Sequence, residues 1–118
     1  MYGLPQDINL TFFNGKTLLQ ACFGAHDLIL NFTGDVSVTV TSSLRCMDSG
    51  GSIQKYDDLR QAAPAVMVLL NQTILSASGN EAGTLTLKFD GGYVLDIYDD
   101  SKEYESYTIE NAGQIIVV

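Results

Sequence analysis

A concentration of carboxylates and tyrosines near the end of the chain could support chemistry. The stretch KFDGGYVLDIYDDSKEYESYTI, residues 88–109, contains six acidic residues and four tyrosines. Carboxylates can act as catalytic acids and bases, bind a cation, or attract a basic protein. Their spacing here lacks the calcium-loop pattern D-x-[DN]-x-[DN]-G and is not diagnostic of a glycosidase.

Two interpretations of this acidic stretch, a solvated turn and a protein-docking patch, are favoured over a third, a metal-binding or catalytic role. DDSKE has the composition of a turn. Asp96 lies between two apolar residues of an alternating strand, so we expect its side chain to face solvent. The candidate partner-binding residues are Asp99, Asp100, Glu103, Tyr104 and Glu105.

The other reactive residue types form no recognisable catalytic or metal-binding motif. His26 is followed by Asp27, but neighbouring residues of a strand point to opposite faces, and we expect a solvated turn here. Cys22 and Cys46 lack the spacing of a zinc site, and a structural role is favoured for both. The glycine pairs in SGGS and DGGY do not match a phosphate-binding loop. We therefore predict no catalytic residue, no metal site and no cofactor.

The charge of the chain favours a basic protein as its partner. The net charge is −8, and residues 90–118 contain seven acidic residues and one basic residue. Only six basic residues occur, and they do not cluster in sequence. Because a nucleic-acid or anionic-membrane ligand requires clustered cations, we predict neither. The chain shows no secretory signal, no apolar run of roughly 20 residues and only two cysteines, which together predict a reduced, cytoplasmic protein.

Period-two alternation of apolar and polar residues predicts two antiparallel hairpins. The first has strands at about 28–33 and 36–41 around Gly34-Asp35, and the second has strands at about 84–89 and 93–97 around Asp90-Gly91-Gly92. The glycines supply the positive φ that a tight hairpin turn requires. Each predicted hairpin has one apolar face and one mostly solvated face.

The two hairpins align with each other at a spacing of 57 residues. The segments before them also match, KTLLQACFG with QTILSASGN, after a shift of one residue. We predict a single domain, residues 1–118, that contains two related β-meanders at about 15–43 and 71–99.

The segment between the meanders is predicted to be partly helical. LRCMDSGGSIQK has the composition of a loop or an irregular edge strand, whereas residues 57–71 have helical spacing of their apolar positions. Pro64 cannot donate a backbone hydrogen bond, so the helix begins near Ala63 or consists of two short pieces. Asn71 is a plausible helix C-cap.

Three further strands are predicted at the two ends of the chain. INLTFF and ESYTIE alternate, whereas GQIIVV is apolar on both faces, which predicts a position inside the sheet system or at a subunit contact. The resulting fold class is α+β: two antiparallel β-meanders of about eight strands in total, with one central helix packed on the apolar sheet face.

The second half of the chain resembles a family of small, uncharacterised bacterial domains. The resemblance rests on the pattern L-x-F-x-x-G, then L-x-I-x-D, then Y-E-S-Y-x-I and a terminal apolar strand. In this sequence the pattern begins at Leu87, continues at Leu95 and ends with residues 104–109. Some related domains resemble immunity proteins of bacterial toxin systems. The resemblance implies no catalytic residues.

Three hypotheses for the function follow. The first is a non-enzymatic, immunity-like interaction protein that binds a basic partner through its acidic C-terminal region. The second is a small enzyme or ligand-binding domain with a pocket between helix and sheet. The third is a homodimer in which terminal strands pair for structural reasons.

Overall fold

The computed structural model describes residues 3–5, 8–101 and 105–118. The described part of the chain contains ten β-strands and one short α-helix. The strands are β1 (Leu18–Phe23), β2 (Leu28–Phe32), β3 (Val36–Val40), β4 (Leu44–Met47), β5 (Ile53–Tyr56), β6 (Ile74–Gly79), β7 (Leu85–Phe89), β8 (Val94–Ile97), β9 (Tyr107–Asn111) and β10 (Gln114–Val117). The helix α1 comprises Ala63–Met67 and directly follows a 3₁₀ helix over Leu59–Ala62.

The strands form two five-stranded antiparallel sheets. Sheet A has the order β1-β2-β3-β9-β10, and sheet B has the order β5-β4-β8-β7-β6. The chain therefore crosses between the sheets twice within the described residues, after β3 and again before β9. The two strand orders are equivalent: if five is added to the numbers of β1 to β5 and subtracted from those of β6 to β10, the order of sheet A becomes the order of sheet B, read from its other edge. The buried apolar side chains of both sheets belong to a single core cluster.

Both predicted hairpins are present. In β2 and β3 the buried and half-buried residues alternate strictly, and the register pairs Leu28 with Val40 and Phe32 with Val36. The turn between them places Gly34 and Asp35 at φ 72° and 62°. The register leaves Thr33, Gly34 and Asp35 between the paired Phe32 and Val36, so the connection is a three-residue turn, one residue longer than predicted. The β7–β8 turn likewise has positive φ at Gly91 and Gly92.

Backbone hydrogen bonds where β1 meets β6 occur in matching pairs. Leu18 N donates to Gln72 O at 3.0 Å, and Ile74 N donates to Lys16 O at 2.8 Å. The two donors, Leu18 and Ile74, are 56 positions apart in sequence, and so are the two acceptors, Lys16 and Gln72. Between these bonds Thr17 and Thr73 form an isolated bridge, with their hydroxyl oxygens 3.0 Å apart. The two halves of the chain thus follow the same backbone path at this junction.

Two strand predictions need correction. INLTFF is not a strand, because residues 11–13 form a 3₁₀ helix that brings Leu10 and Phe13, three residues apart, into the core. The segment LRCMDSGGSIQK forms the regular hairpin β4–β5, with Leu44 paired to Tyr56 and Met47 to Ile53. β5 is an edge strand, and its three exposed residues explain why its apolar pattern was weak.

The predicted helix is much shorter than residues 57–71. The two-piece alternative describes it well, since a 3₁₀ helix ends at Ala62 and Pro64 lies in the first turn of α1. Proline is tolerated there because the first-turn N–H groups have no helical acceptor. Asn71 is not the C-cap of α1, because the helix ends at Met67 and its C-cap is Val68. Asn71 instead adopts a left-handed φ of 69° at the end of the turns that follow the helix.

Candidate functional site

Asp96 faces outward from sheet B but is buried, contrary to the sequence prediction. Its side chain is 7% exposed because the Arg45 side chain, from the neighbouring strand β4, covers it. Arg45 Nε and Nη2 donate to Asp96 Oδ2 at 2.9 and 2.6 Å, and Thr86 Oγ1 donates to Oδ1 at 2.5 Å. Alternation identified the face correctly, but the register brought a cation over the carboxylate. Asp96 is therefore engaged within the sheet.

Asp99 and Asp100, two of the predicted partner-binding residues, act mainly as hydrogen-bond acceptors for neighbouring loops. Asp99 accepts from the backbone N–H of Gly3 at 3.1 Å and from the Ser106 hydroxyl at 2.8 Å. Asp100 accepts from the backbone N–H and the hydroxyl of Ser43. Because these contacts join segments far apart in sequence, both carboxylates have a structural role.

Of the other three predicted partner-binding residues, Glu105 is the one that the structure describes. Glu105 is exposed, and its backbone carbonyl accepts a hydrogen bond from Thr41 Oγ1 at 2.6 Å. Glu103 and Tyr104 lie outside the described residues. Glu105 therefore directs its carboxylate to solvent while its backbone is held by the loop that follows β3.

The fold brings two further carboxylates to the same end of the molecule. Asp57 and Asp58 follow the edge strand β5, and Lys55 Nζ lies 3.6 Å from Asp57 Oδ1 and 3.9 Å from Asp100 Oδ2. The lysine thus bridges acidic residues from two segments more than 40 positions apart. We define the acidic end as Asp57, Asp58, Asp100 and Glu105. Nothing in the sequence indicates that Asp57 and Asp58 belong with Asp100, because only the strand pairing shows that these segments are neighbours.

The carboxylates of the acidic end remain accessible to solvent. The exposed fraction of the side chain is 86% for Asp57, 44% for Asp58 and 43% for Asp100. The side chain of Arg60 donates to Asp58, and this hydrogen bond lowers the pKa of the Asp58 carboxyl below its usual value. Asp58 also accepts from the Arg60 backbone N–H as the N-cap of the 3₁₀ helix, as expected for an aspartate before a helix.

A shallow groove of about 440 Å³ adjoins the acidic end. Its walls are the β1–β2 loop with His26, the residues after β3, and residues 57–60. His26 is exposed in this loop, as predicted for a solvated turn. The groove therefore has Asp57, Asp58 and Arg60 on one wall, and the hydroxyls of Thr41 and Ser42 on the residues after β3.

Three basic residues that are dispersed in sequence lie on one face of sheet B. The register of sheet B places Lys55 beside Arg45, and Lys88 lies on the same outer face. Lys55 Nζ also lies 5.2 Å from the centre of the Tyr98 ring, within cation–π range. Three of the six basic residues therefore lie on the outer face of sheet B, where Asp96 balances one of them.

A cavity of about 190 Å³ lies between the end of α1 and sheet B. Val68 and Leu69 line it from the helical side, and Cys46, Ile53 and Tyr93 line it from the sheet. Burial, with a smaller contribution from the nearby Asp96 charge, raises the pKa of the Cys46 thiol to about 11. Cys46 is therefore a neutral thiol at physiological pH and a weak nucleophile. Cys22, on β1, is half-buried.

The described residues contain neither a cluster suited to a metal ion nor a helix suited to a membrane. Across residues 3–5, 8–101 and 105–118, no group of three or more His, Cys, Asp or Glu side chains is arranged to hold a metal ion. In the same part of the chain, no helix has the length and apolar character needed to cross a bilayer.

Comparison with known proteins gives one match. No curated protein and no solved structure is significantly similar to this chain. A family model does match residues 11–118, and it therefore includes both sheets and the acidic end. The chain belongs to DUF6188, a family of unknown function.

Proposed function

We propose that the protein is a non-enzymatic interaction domain that binds a basic protein segment at the acidic end. The observation that carries this proposal is the position of Lys55 between Asp57 and Asp100, at 3.6 and 3.9 Å. An ammonium group of the chain itself already occupies the space between two carboxylates from separate segments. Lysine or arginine side chains of a partner would make the same kind of contact with the remaining accessible oxygens.

The chemistry of the acidic end favours recognition over catalysis. Exposed carboxylates that are partly paired contribute mainly to steering and specificity, because solvent and salt screen them. The neighbouring groove provides the hydroxyls of Thr41 and Ser42 for hydrogen bonds to a peptide backbone. An immunity protein that covers a basic surface of a toxin would use its surface in this way, and we include that role in the proposal.

The first experiment is a titration of the ¹⁵N-labelled protein with a synthetic lysine- and arginine-rich peptide, followed by NMR chemical shifts. We expect the shifts to concentrate at residues 41–43, 57–60 and 98–106, and the affinity to fall as salt is raised. A glutamate-rich peptide of equal length provides the negative control. Shifts confined to another surface would contradict the proposal.

Two charge-matched variants make the test specific. Asp57→Asn with Glu105→Gln removes two charges at the acidic end, whereas Asp35→Asn with Glu110→Gln removes two at the opposite end of β3 and β9. All four side chains belong to exposed residues, so we expect both proteins to fold normally. The first variant should bind the basic peptide at least about threefold more weakly, and the second should bind like wild type. Equal affinities of the two variants would overturn the proposal.

The immunity-like role requires a toxin as partner. Co-purification from the native host with wild-type protein, repeated with the two charge-matched variants, identifies candidate partners by their dependence on the acidic end. The role is supported when the recovered partner is toxic on its own and the wild-type protein suppresses that toxicity. A recovered partner without toxicity would refute this role and leave the interaction proposal standing.

A second candidate function is binding of a small apolar ligand in the cavity beside α1. The observation in its favour is the cavity of about 190 Å³ between helix and sheet, with Val68, Leu69 and Ile53 in its lining. A volume of this size suits a molecule of about the dimensions of a single aromatic ring. Alkylation of Cys46 in a Cys22→Ser background measures occupancy, because a bound ligand would slow the reaction. A series of small aromatic compounds that leaves the rate unchanged would exclude this ligand class.

The paired hydrogen bonds at the β1–β6 junction also support the proposal of an internal repeat, residues 15–43 and 71–99, within a single domain. Gly15 and Asn71 occupy matching positions 56 residues apart, both with positive φ, at 81° and 69°. Gly15 N donates to Ile74 O and Asn71 N donates to Leu18 O, each at 2.8 Å. Cooperative unfolding with one transition, measured by two spectroscopic probes, would support the single domain.

A further inference from the structure

The four strands at the sheet edges differ in how they are protected against pairing with another chain. Edge strands commonly carry a bulge, a charge or a proline, because their free backbone groups otherwise accept a further strand. β1 and β6 each contain a bulge, between Leu18 and Gln20 and between Ile74 and Ser76. β5 carries Lys55. Three of the four edges therefore have a recognised protective feature.

β10 has none of these features. Its residues, Gln114–Val117, pair with β9 in an unbroken register and include no charge and no proline. Ile115 and Val117 point away from the core and are 58% and 43% exposed, whereas Ile116 is half-buried and packs against the core. Within the described residues β10 ends sheet A, so its outer edge faces no other strand. The apolar sequence of β10 suggested a position inside the sheet system. That prediction is wrong for a single copy of the chain, because β10 lies at the edge of sheet A.

The outer face of sheet A beside β10 is nearly free of charge. Through the register, Val117 lies next to Thr108 and Thr39, while Ile115 lies next to Glu110 and Ser37. Glu110 is the only charged residue of this set. A chain of net charge −8 repels its own copies, so self-association requires a surface where few carboxylates meet. The β10 edge satisfies that requirement, and the acidic end does not.

We propose that two copies of the chain associate by antiparallel pairing of their β10 strands, which joins the two A sheets into one sheet of ten strands. The pairing is centred on Ile116, which lies opposite Ile116 of the second copy. Residues directly opposite each other in an antiparallel pair share one face of the sheet. Ile115 then lies opposite Val117 of the second copy, and Val117 lies opposite its Ile115. Both exposed apolar residues thereby gain an apolar cross-strand partner.

A second copy fits this edge because the strand is complementary to itself. A twofold axis through Ile116 places Ile115 of one copy opposite Val117 of the other on the outer face. The same four-residue strand therefore supplies both sides of the contact. Such an interface is isologous and uses the β10 edge of each copy once, so assembly stops at the dimer. The proposal does not depend on binding at the acidic end.

Mass measurement by size-exclusion chromatography with light scattering tests the association. We expect wild-type protein to approach twice the chain mass of 12.8 kDa as its concentration rises. Ile115→Lys with Val117→Lys should shift the dissociation constant upward by at least tenfold, because both cross-strand pairs on the outer face become lysine–lysine pairs of like charge. The matched control is Ile53→Lys on β5, which alters an equally exposed isoleucine at an edge that already carries a lysine. Circular dichroism confirms that each variant folds.

Disulfide trapping tests the register. In a Cys22→Ser, Cys46→Ser background, Ile116→Cys places one thiol on the twofold axis, where opposite Cα atoms lie within the range that a disulfide spans. Mild oxidation should crosslink this variant into a dimer, and Ile53→Cys in the same background should remain monomeric. Wild-type protein that stays monomeric at millimolar concentration, or a dimer that survives both lysine substitutions, would overturn the proposal. Crosslinking through residue 53 and not through residue 116 would do the same.

Discussion

Arg45 and Asp96 lie opposite each other on neighbouring strands, and the guanidinium donates two hydrogen bonds to the same carboxylate oxygen, at 2.9 and 2.6 Å. The carboxylate is almost fully buried, whereas 42% of the arginine side chain is exposed. This asymmetry means that the arginine shields the aspartate from water. The hydrogen bond and the charge of Asp96 raise the pKa of Arg45 further above its usual value.

Replacement of Arg45 should destabilise the protein, because the buried Asp96 carboxylate would lose its cationic partner and two hydrogen bonds. For Arg45→Met we expect the free energy of unfolding to fall by about 2 kcal/mol, less than for a fully buried pair because water reaches the arginine. Urea denaturation measures this change. In a double-mutant cycle, Asp96→Asn should lower the free energy of unfolding less in the Arg45→Met protein than in the wild type. Additive effects of the two substitutions would contradict the coupling.

The two kinds of carboxylate at the acidic end should respond differently to mutation. Asp100→Ala removes the acceptor of the Ser43 backbone N–H and hydroxyl, so the free energy of unfolding should fall by about 1–2 kcal/mol. Asp57→Ala removes a carboxylate that is 86% exposed, and stability should change by less than about 0.5 kcal/mol. Urea unfolding of both variants provides the comparison. A larger loss of stability for Asp57→Ala would show that its ion pair with Lys55 matters more than its exposure indicates.

The hydroxyl of Tyr107 should contribute measurably to stability. The ring is buried, and Tyr107 Oη donates to the carbonyl of Gly83 at 2.7 Å. Burial and the nearby Asp99 charge raise the pKa of the phenol above its usual value, so the hydroxyl remains a donor at neutral pH. Tyr107→Phe leaves the carbonyl without this donor and should cost about 1–2 kcal/mol. Tyr98→Phe, at a half-buried ring, is the matched control and should change stability by less than about 0.5 kcal/mol.

The raised pKa of Cys46 predicts a dependence of stability on alkaline pH. The folded state holds the thiol neutral up to a pKa of about 11, whereas the ordinary value is 9.0. The unfolded state therefore releases this proton first, and the contribution of Cys46 is fully present below pH 9 and is lost as pH rises toward 11. Urea midpoints at several pH values, compared between Cys22→Ser and Cys22→Ser with Cys46→Val, measure the difference. Parallel pH profiles for the two proteins would show that the thiol is not perturbed.

Alkylation kinetics give a second measurement of the same thiol. In the Cys22→Ser protein, the rate of reaction with iodoacetamide should keep rising between pH 9 and 11, because only the thiolate reacts. A rate that levels off near pH 9 would contradict the raised pKa.

Local patterns in the sequence predicted the elements that form between neighbouring segments of the chain. Alternation over residues 28–41 and 84–97 identified two hairpins, since one face of each strand is buried and a pair of positive-φ residues closes each turn. Pro64 predicted a helix that begins near Ala63 or consists of two short pieces, and the structure has a 3₁₀ helix that ends at Ala62 and α1 that begins at Ala63. The pattern was misleading for residues 8–13, where alternation and the three-residue spacing of Leu10 and Phe13 coincide over too few positions to distinguish a strand from a 3₁₀ helix.

Residue types and near neighbours in the chain are enough to predict the antiparallel hairpins, the acidic charge and the positions of the turns, because these properties are local. Which distant segments meet depends on the folded arrangement of the strands. This arrangement covered Asp96 with Arg45, tied Asp99 and Asp100 into loops, and joined Asp57 to Asp100 through Lys55. These outcomes depend on the pairing of strands β4 and β8 and of β4 and β5, and strand order is set by the packing of the whole core. Alternation identifies the face on which a side chain lies, and strand pairing determines its neighbours on that face.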